Sequence, residues 1–206
     1  MPAIGECMGV VLAGGSSTRM GSDKAFIEVD GVPMVARAVA ALTAAGAAAV
    51  LVVGGDGARL GELGLLAVPD RHPGEGPLGG VITALGAVES SRYGDCGAIE
   101  AVVTLPCDVI QPDEAAVRCV VDRLGDPAHP AARADLVVPL GSGAPQWMHA
   151  AWARRCLPIL SEAFGRGVRA PKEAAGLLHT VEVEIGGVGW FKDADRPEDL
   201  PAGSRA

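Results

Sequence analysis

Side chains able to do chemistry gather at a few places in this chain. The first is the segment Leu12-Ala-Gly-Gly-Ser-Ser-Thr-Arg-Met-Gly-Ser-Asp-Lys24. Gly14 and Gly15 let backbone N–H groups approach an anion closely. Ser16, Ser17 and Thr18 add hydroxyl donors, and Arg19 and Lys24 supply two cations suited to phosphate oxygens. The segment is neither a Walker A loop nor a GxGxxG fingerprint, and a plain solvated loop fits the same residues. The second place is Leu105-Pro106-Cys107-Asp108, where a carboxylate follows an apolar run. Magnesium is held by one or two carboxylates with phosphates and waters completing the shell; an Asp at such a point also serves as an ordinary cap. The third is Trp190-Phe-Lys-Asp-Ala-Asp-Arg-Pro-Glu-Asp-Leu200. Asp193 and Asp195 are two apart, so an extended chain points both the same way. Pro197 to Leu200 reads as the start of a helix. A further glycine- and proline-rich stretch runs from Pro69 to Gly80; it suits either a ligand or a simple connection. Cys107 has no base in its motif and reads as a packing residue, and His72 reads as a surface residue.

These residues need elements to hold them. Met8 to Leu12, Ala49 to Val53, Leu65 to Val68, Ala101 to Leu105, Leu136 to Pro139, Met148 to Trp152 and Val181 to Ile185 are apolar runs that read as strands. Met34, Val35, Ala38, Val39 and Leu42 recur at helical spacing, with Gly46 as C-terminal cap. Leu78 to Val88 reads as a helix, as does Pro112 to Leu124 with proline at its first position. Continuous apolar strands separated by helices predict an α/β fold with a mostly parallel sheet covered on both faces. Ligands in such sheets bind beyond the carboxyl ends of the strands, and Gly14 to Lys24, Pro106 to Asp108 and the segment before Asp193 all read as such ends. Gly125 to Arg133 reads as a surface loop. Residues 1–200 read as a single domain, with 201–206 as a frayed tail.

Composition narrows the partners. The chain has 206 residues, enough for one substantial core. Its net charge of −8 and lack of a basic run exclude a nucleic-acid footprint. An anionic substrate would then depend on local cations or a metal. Five cysteines, an odd number without CxxC spacing, argue against a disulfide framework or a zinc site. Without a basic leader or an apolar run near ~18 residues, the expectation is no membrane contact and a cytoplasmic location.

The string LAGGSSTRMGSDKA, at the end of the first apolar run, resembles the signature loop of the molybdenum cofactor guanylyltransferases, the MobA-like branch of the nucleotidyltransferases. The likeness continues through Phe26 to Met34 and runs in order from Gly9 to Leu200. It implies a three-layer, Rossmann-like nucleotidyltransferase fold. It implies that Leu12, Ala13, Gly14 and Gly15 meet the nucleotide and that Arg19 and Lys24 neutralise its phosphates. By the same resemblance Asp108 binds Mg²⁺, with Asp193 and Asp195 helping to hold the ion. Asp70 sees the nucleotide, and the turn at Gly76, Pro77 and Leu78 shapes its pocket. Gly54 stands where many relatives place an Asn against the nucleotide.

The implied reaction is transfer of GMP from GTP to the phosphate of molybdopterin, catalysed by Arg19, Lys24 and Asp108, with a molybdoenzyme or its chaperone as a further partner. A CTP-dependent relative, or a guanylyltransferase for another small phosphate, is the near alternative. A non-catalytic nucleotide-binding adaptor is the alternative of a different class. Trp147 and His149 either contact a pterin or only pack. Arg71 and Arg169 are candidate acceptor-phosphate ligands without a motif.

Overall fold

The computed structural model describes residues 6–14, 23–89, 99–125, 134–186, 190–194, 196–201 and 203–204. The strands are β1 (Cys7–Leu12), β2 (Glu28–Val29), β3 (Val32–Pro33), β4 (Ala49–Val53), β5 (Ala67–Val68), β6 (Ala101–Pro106), β7 (Leu136–Gly141), β8 (Ala144–Pro145), β9 (Ala151–Ala153) and β10 (Thr180–Glu184). The helices are α1 (Met34–Ala45), α2 (Gly57–Glu62), α3 (Pro77–Glu89), α4 (Glu114–Gly125), α5 (Leu157–Gly165) and α6 (Pro171–Ala175).

The main sheet runs β10-β7-β9-β6-β1-β4-β5, with β8 paired to β7. β1, β4, β5 and β6 are mutually parallel, as are β7 and β10. α1 and α4 pack together on one face, and α3 with α5 and α6 on the other. The result is the expected three-layer α/β sandwich. β1, β6 and the middle of α3 are almost wholly buried, which is why they read as unbroken apolar runs.

Two expectations need correction. The run from Met148 to Trp152 forms a strand only at Ala151–Ala153, and that strand is antiparallel to both neighbours. An apolar run carries no direction, so burial on both faces could not reveal it. The second concerns α4, which begins at Glu114 rather than Pro112. The carboxylate of Asp113 accepts from the N–H groups of Ala115 (2.7 Å) and Ala116 (3.1 Å), so Asp113 is the cap and Pro112 lies outside the helix. α1 does end at Gly46, whose N–H reaches the carbonyls of Leu42 and Thr43.

The register carries the consequence for function. Leu12 lies opposite Val53 on one side and opposite Pro106 on the other, so the carboxyl ends of β1, β4 and β6 finish level. The chain leaves β1 for β4 in one direction and later returns on its other side with β6. That reversal opens a crevice at the ends of the strands.

The capping geometry makes a prediction. Asp113→Ala should cost about 1 kcal/mol in a urea titration, and Pro112→Ala clearly less. Equal losses would place the helix start back at the proline.

Candidate functional site

A cavity of about 210 Å³ sits in the crevice, walled by Leu12, Ala13 and Gly14 from the end of β1, Val53 from β4, and Pro106, Cys107 and Asp108 from the end of β6. Asp23, Lys24, Asp70, Gly76, Pro77, Gly80 and Met148 close it. A second hollow, bordered by Gly54, Gly55, Pro69, Pro73 and Gly74, shares Ala13, Gly14, Asp23 and Asp70 with the first. Together they form a cleft long enough to run from the strand ends to the loop after β5.

Lys24 and Asp108 meet across the cavity with Nζ 3.0 Å from Oδ2. Each partner is fixed locally. Asp23 accepts the Ala25 N–H at 3.1 Å and caps a single 3₁₀ turn, Lys24–Phe26. Phe26 of that turn lies beneath the guanidinium of Arg59 from α2, 3.8 Å from its ring centre. On the other side, Val109 bridges antiparallel to Asp193. Ala194 N–H donates to the Asp108 carbonyl at 2.9 Å, and Ile110 N–H to the Lys192 carbonyl at 3.0 Å. A small second core of Ile27, Val29, Met34, Ile110 and Ala194 packs behind both partners.

Asp70 is oriented by two bonds to one oxygen, one of them backed by a third. Its Oδ1 accepts from the Thr83 hydroxyl and the His72 N–H, each at 3.0 Å, while Thr83 accepts the Arg71 N–H at 3.1 Å. Oδ2 faces Gly14; a Cβ built on that glycine would lie 3.3 Å from it. Gly76 and Pro77 bring the amino end of α3 to the cavity, where the positive end of the helix dipole favours an anion.

Gly54 shows why that position is a glycine. It adopts φ +79°, and a Cβ would lie 2.9 Å from the Gly14 Cα. The two loops cross backbone to backbone, with Ala13 N–H donating to the Val53 carbonyl at 2.8 Å. A side chain there would push the cleft walls apart.

The structure therefore brings Leu12, Ala13, Gly14, Lys24, Asp70, Gly76, Pro77 and Asp108 to one cavity, with Gly54 on the adjoining hollow. It does not bring Leu78: that side chain is fully buried in the core. Gly15, Arg19 and Asp195 lie outside the described residues. Asp193 sits opposite Val109, the residue after Asp108, across the β-bridge, and its Oδ1 lies 4.0 Å from His149 Nε2. Burial lowers the His149 pKa to about 4, so the ring is neutral near pH 7 and the contact is not an ion pair. His149 stacks edge-on to Phe191 at 5.1 Å. Trp147 packs against the main core.

Arg169 is engaged with Glu75 and two main-chain carbonyls, and Arg71 lies along α3 beside Gly86. Asp23 and Met148 are cavity residues that the sequence reading did not single out. Asp23 stood inside the recognised loop string, whereas nothing local marks Met148. Burial and the neighbouring carboxylates of Asp108 and Asp23 push the Cys107 thiol far up, so it is no nucleophile despite facing the cavity.

The donor set fits magnesium in one specific way. Among the described residues no three His, Cys, Asp or Glu side chains cluster as a metal cage. Among the described residues Asp108 presents a carboxylate from the end of β6, which suits an ion that arrives with phosphates and keeps several waters. Among the described residues a cage-binding metal such as structural zinc finds no ligand set.

Comparison with known proteins bears on this geometry. A family model described as the MobA-like NTP transferase domain matches residues 9–178. A probable molybdenum cofactor guanylyltransferase of Methanothermobacter thermautotrophicus is 30% identical over 203 residues, covering 92% of this chain and 95% of the relative. A molybdenum cofactor guanylyltransferase of Cereibacter sphaeroides is 35% identical over 133 residues, 60% of this chain and 65% of the relative. The crystal structure of molybdopterin-guanine dinucleotide biosynthesis protein A from Archaeoglobus fulgidus superposes with a TM-score of 0.70 at 19% identity, covering 94% of each chain.

The crossing of the two loops is testable without any ligand. Gly54→Ala should lower stability by more than about 1 kcal/mol, since it adds left-handed strain to a steric clash. Gly57→Ala, with open space around it, should be neutral or slightly stabilising. Urea titrations showing the two variants alike would mean that the crossing is loose.

Proposed function

The chain belongs to the MobA-like NTP transferase family, and from that premise we propose that it transfers GMP from GTP to the phosphate of molybdopterin, releasing pyrophosphate. The single observation that carries the reading is the Lys24–Asp108 pair, at 3.0 Å on the wall of a cavity at the sheet's carboxyl edge. A fold that only held a nucleotide would need the backbone cradle; a transfer enzyme also needs opposite charges placed beside the phosphates.

In this reading the backbone of Leu12 to Gly14 and the amino end of α3 hold the triphosphate. The hollow at Gly54 and Asp70 takes the nucleoside. Lys24 turns its ammonium from Asp108 to a phosphate oxygen, and Arg19 adds a second cation. Asp108 would hold Mg²⁺, with Asp193 and Asp195 as further candidate ligands. When bound, the ion supplies positive charge against the triphosphate and polarises its phosphoryl oxygens.

The acceptor phosphate and the triphosphate are both anions. Two unit charges ~4 Å apart repel by ~4 kcal/mol at an effective dielectric of ~20, which these cations must cancel while holding the groups in line. The attacking phosphate is already ionised at neutral pH, so no side chain has to remove a proton. A neutral, buried His149 and a protonated Cys107 are consistent with that.

GTP is the assigned donor because the loop string at Leu12 to Lys24 resembles the guanylyl rather than the cytidylyl branch. A molybdoenzyme or its chaperone is the proposed recipient of the product. Among the described residues no helix is long and apolar enough to cross a membrane. Cys107, Cys119 and Cys156 are thiols, in keeping with the cytoplasm.

The reading is tested by pyrophosphate release with molybdopterin and Mg²⁺, first with GTP and then with CTP, alongside melting curves. GTP should support turnover and raise the melting temperature by linkage, and CTP should do both far less. Equal responses would remove the guanine assignment. A thermal shift with GTP but no pyrophosphate would make the protein an adaptor.

A further inference from the structure

The cavity rim between Asp70 and Pro77 is held from behind by a cluster that the transfer reaction does not use. The guanidinium of Arg169 lies 3.9 Å from the centre of the Phe164 ring. Its Nη1 donates to the carbonyls of Phe164 (2.6 Å) and Val168 (3.1 Å), and its Nη2 donates to Glu75 Oε2 at 3.0 Å. Phe164 is in the last turn of α5, and its carbonyl, which also accepts the Gly167 N–H at 3.0 Å, lies at the helix end where a cation is favoured. From there the side chain spans to a loop 94 positions earlier in the sequence.

The main chain of Arg169 grips the same rim. Its carbonyl accepts the Leu78 N–H at 3.2 Å, a first-turn donor of α3 that has no partner within its own helix. Gly76, at φ +95°, is pressed against Arg169 so closely that a Cβ would sit 3.2 Å from that carbonyl oxygen and 3.3 Å from the arginine Cβ. His72 joins the cluster. Its ring centre is 4.5 Å from that of Phe164, and Nδ1 is 3.8 Å from the Glu75 carboxylate. Arg169 itself walls neither the cavity nor the adjoining hollow.

We infer that Arg169 is a positioning residue for nucleotide binding: its side chain and its carbonyl together clamp Glu75, Gly76 and the amino end of α3 at the spacing the nucleotide needs. The inference rests on the reading of this cleft as the GTP site and deepens it. A free loop with so many glycines would have to be ordered by each incoming nucleotide, at a cost in affinity. The clamp orders it beforehand. Because the clamp acts equally on bound substrate and transition state, its loss should appear in KM and leave kcat alone.

The experiment compares Arg169→Met, Glu75→Gln and the double variant with the unaltered protein. Amide hydrogen exchange is followed first, in the nucleotide-free protein, at Gly76, Leu78 and Gly79. Steady-state kinetics then vary GTP and molybdopterin separately. Arg169→Met should exchange roughly 5- to 10-fold faster at these amides and raise the GTP KM by a similar factor, with kcat within about 2-fold, the net scale of one lost hydrogen bond at a part-exposed site. The molybdopterin KM should not move. Glu75→Gln, an exposed substitution that leaves the core untouched, should shift both readouts the same way by less, and the double variant should be no worse than Arg169→Met.

A rise confined to the molybdopterin KM would make Arg169 an acceptor ligand and overturn the inference. So would faster exchange with an unchanged GTP KM, which would leave the cluster merely structural. The exchange measurement needs no nucleotide. If the unaltered protein failed to use GTP, the functional reading would fall, and the exchange data would still report whether the clamp exists.

Discussion

Lys24 and Asp108 stand 84 positions apart in sequence yet meet at 3.0 Å, with side chains only 15% and 18% exposed. Charges so far withdrawn from water lose hydration that only an opposite charge can replace. Each therefore constrains where the other's backbone can go. The ammonium needs its 3₁₀ turn at one height above β1, and the carboxylate needs the end of β6 at the same height. In the proposed reading, a triphosphate arriving with its cation would part the same two charges and give each a new partner of the right sign. A site built this way is satisfied both empty and filled, so binding need not begin by exposing a buried charge.

The sheet supplies that common height. Parallel pairing of β1 with β4 and β6 brings Leu12, Val53 and Pro106 level, and each strand then releases a loop into the same crevice. Behind these loops lie three separate anchors: the Arg59–Phe26 contact for the lysine turn, the Val109–Asp193 bridge for the aspartate, and the Asp70–Thr83 bond for the far wall. None of the anchors touches phosphate in the proposed reading. They convert loops that composition would leave loose into walls whose spacing is set by helices and strands.

How much of this the sequence revealed follows from which interactions are local. β1, β4 and β6 were legible because strands buried on both faces leave continuous apolar runs. Lys24 and Asp108 were legible only through the resemblance of the loops that carry them, since an Asp past a strand is most often a plain cap. The Asp30-Gly31 turn, with φ of 54° and 76°, joins the small hairpin of β2 and β3; Asp-Gly is a short-range hairpin signal, but strands of two residues each give it no flanking apolar alternation. α2, spelled Gly-Ala-Arg-Leu-Gly-Glu, has two glycines in six positions and is too weak a helix former to read from propensity. It stands because Asp56 caps it and Leu60 is buried. The direction of β9 and the pairing of Arg169 with Glu75 are products of the assembled fold and leave no local signature.

The central claim is that Asp108 and Lys24 are poised for metal-assisted transfer rather than merely paired for stability, and Asp108→Asn tests it most directly. The variant keeps the shape and one acceptor oxygen and loses only the charge. The measurement is a pair of melting curves, with and without Mg²⁺ and GTP, joined to the rate of pyrophosphate release. The account predicts that the variant loses the magnesium-dependent part of the GTP thermal shift and that turnover falls by about 10²-fold or more, the scale on which a lost charge at the transferring phosphoryl group is felt. A variant that kept both its magnesium-dependent shift and its turnover would place the metal elsewhere and contradict the account.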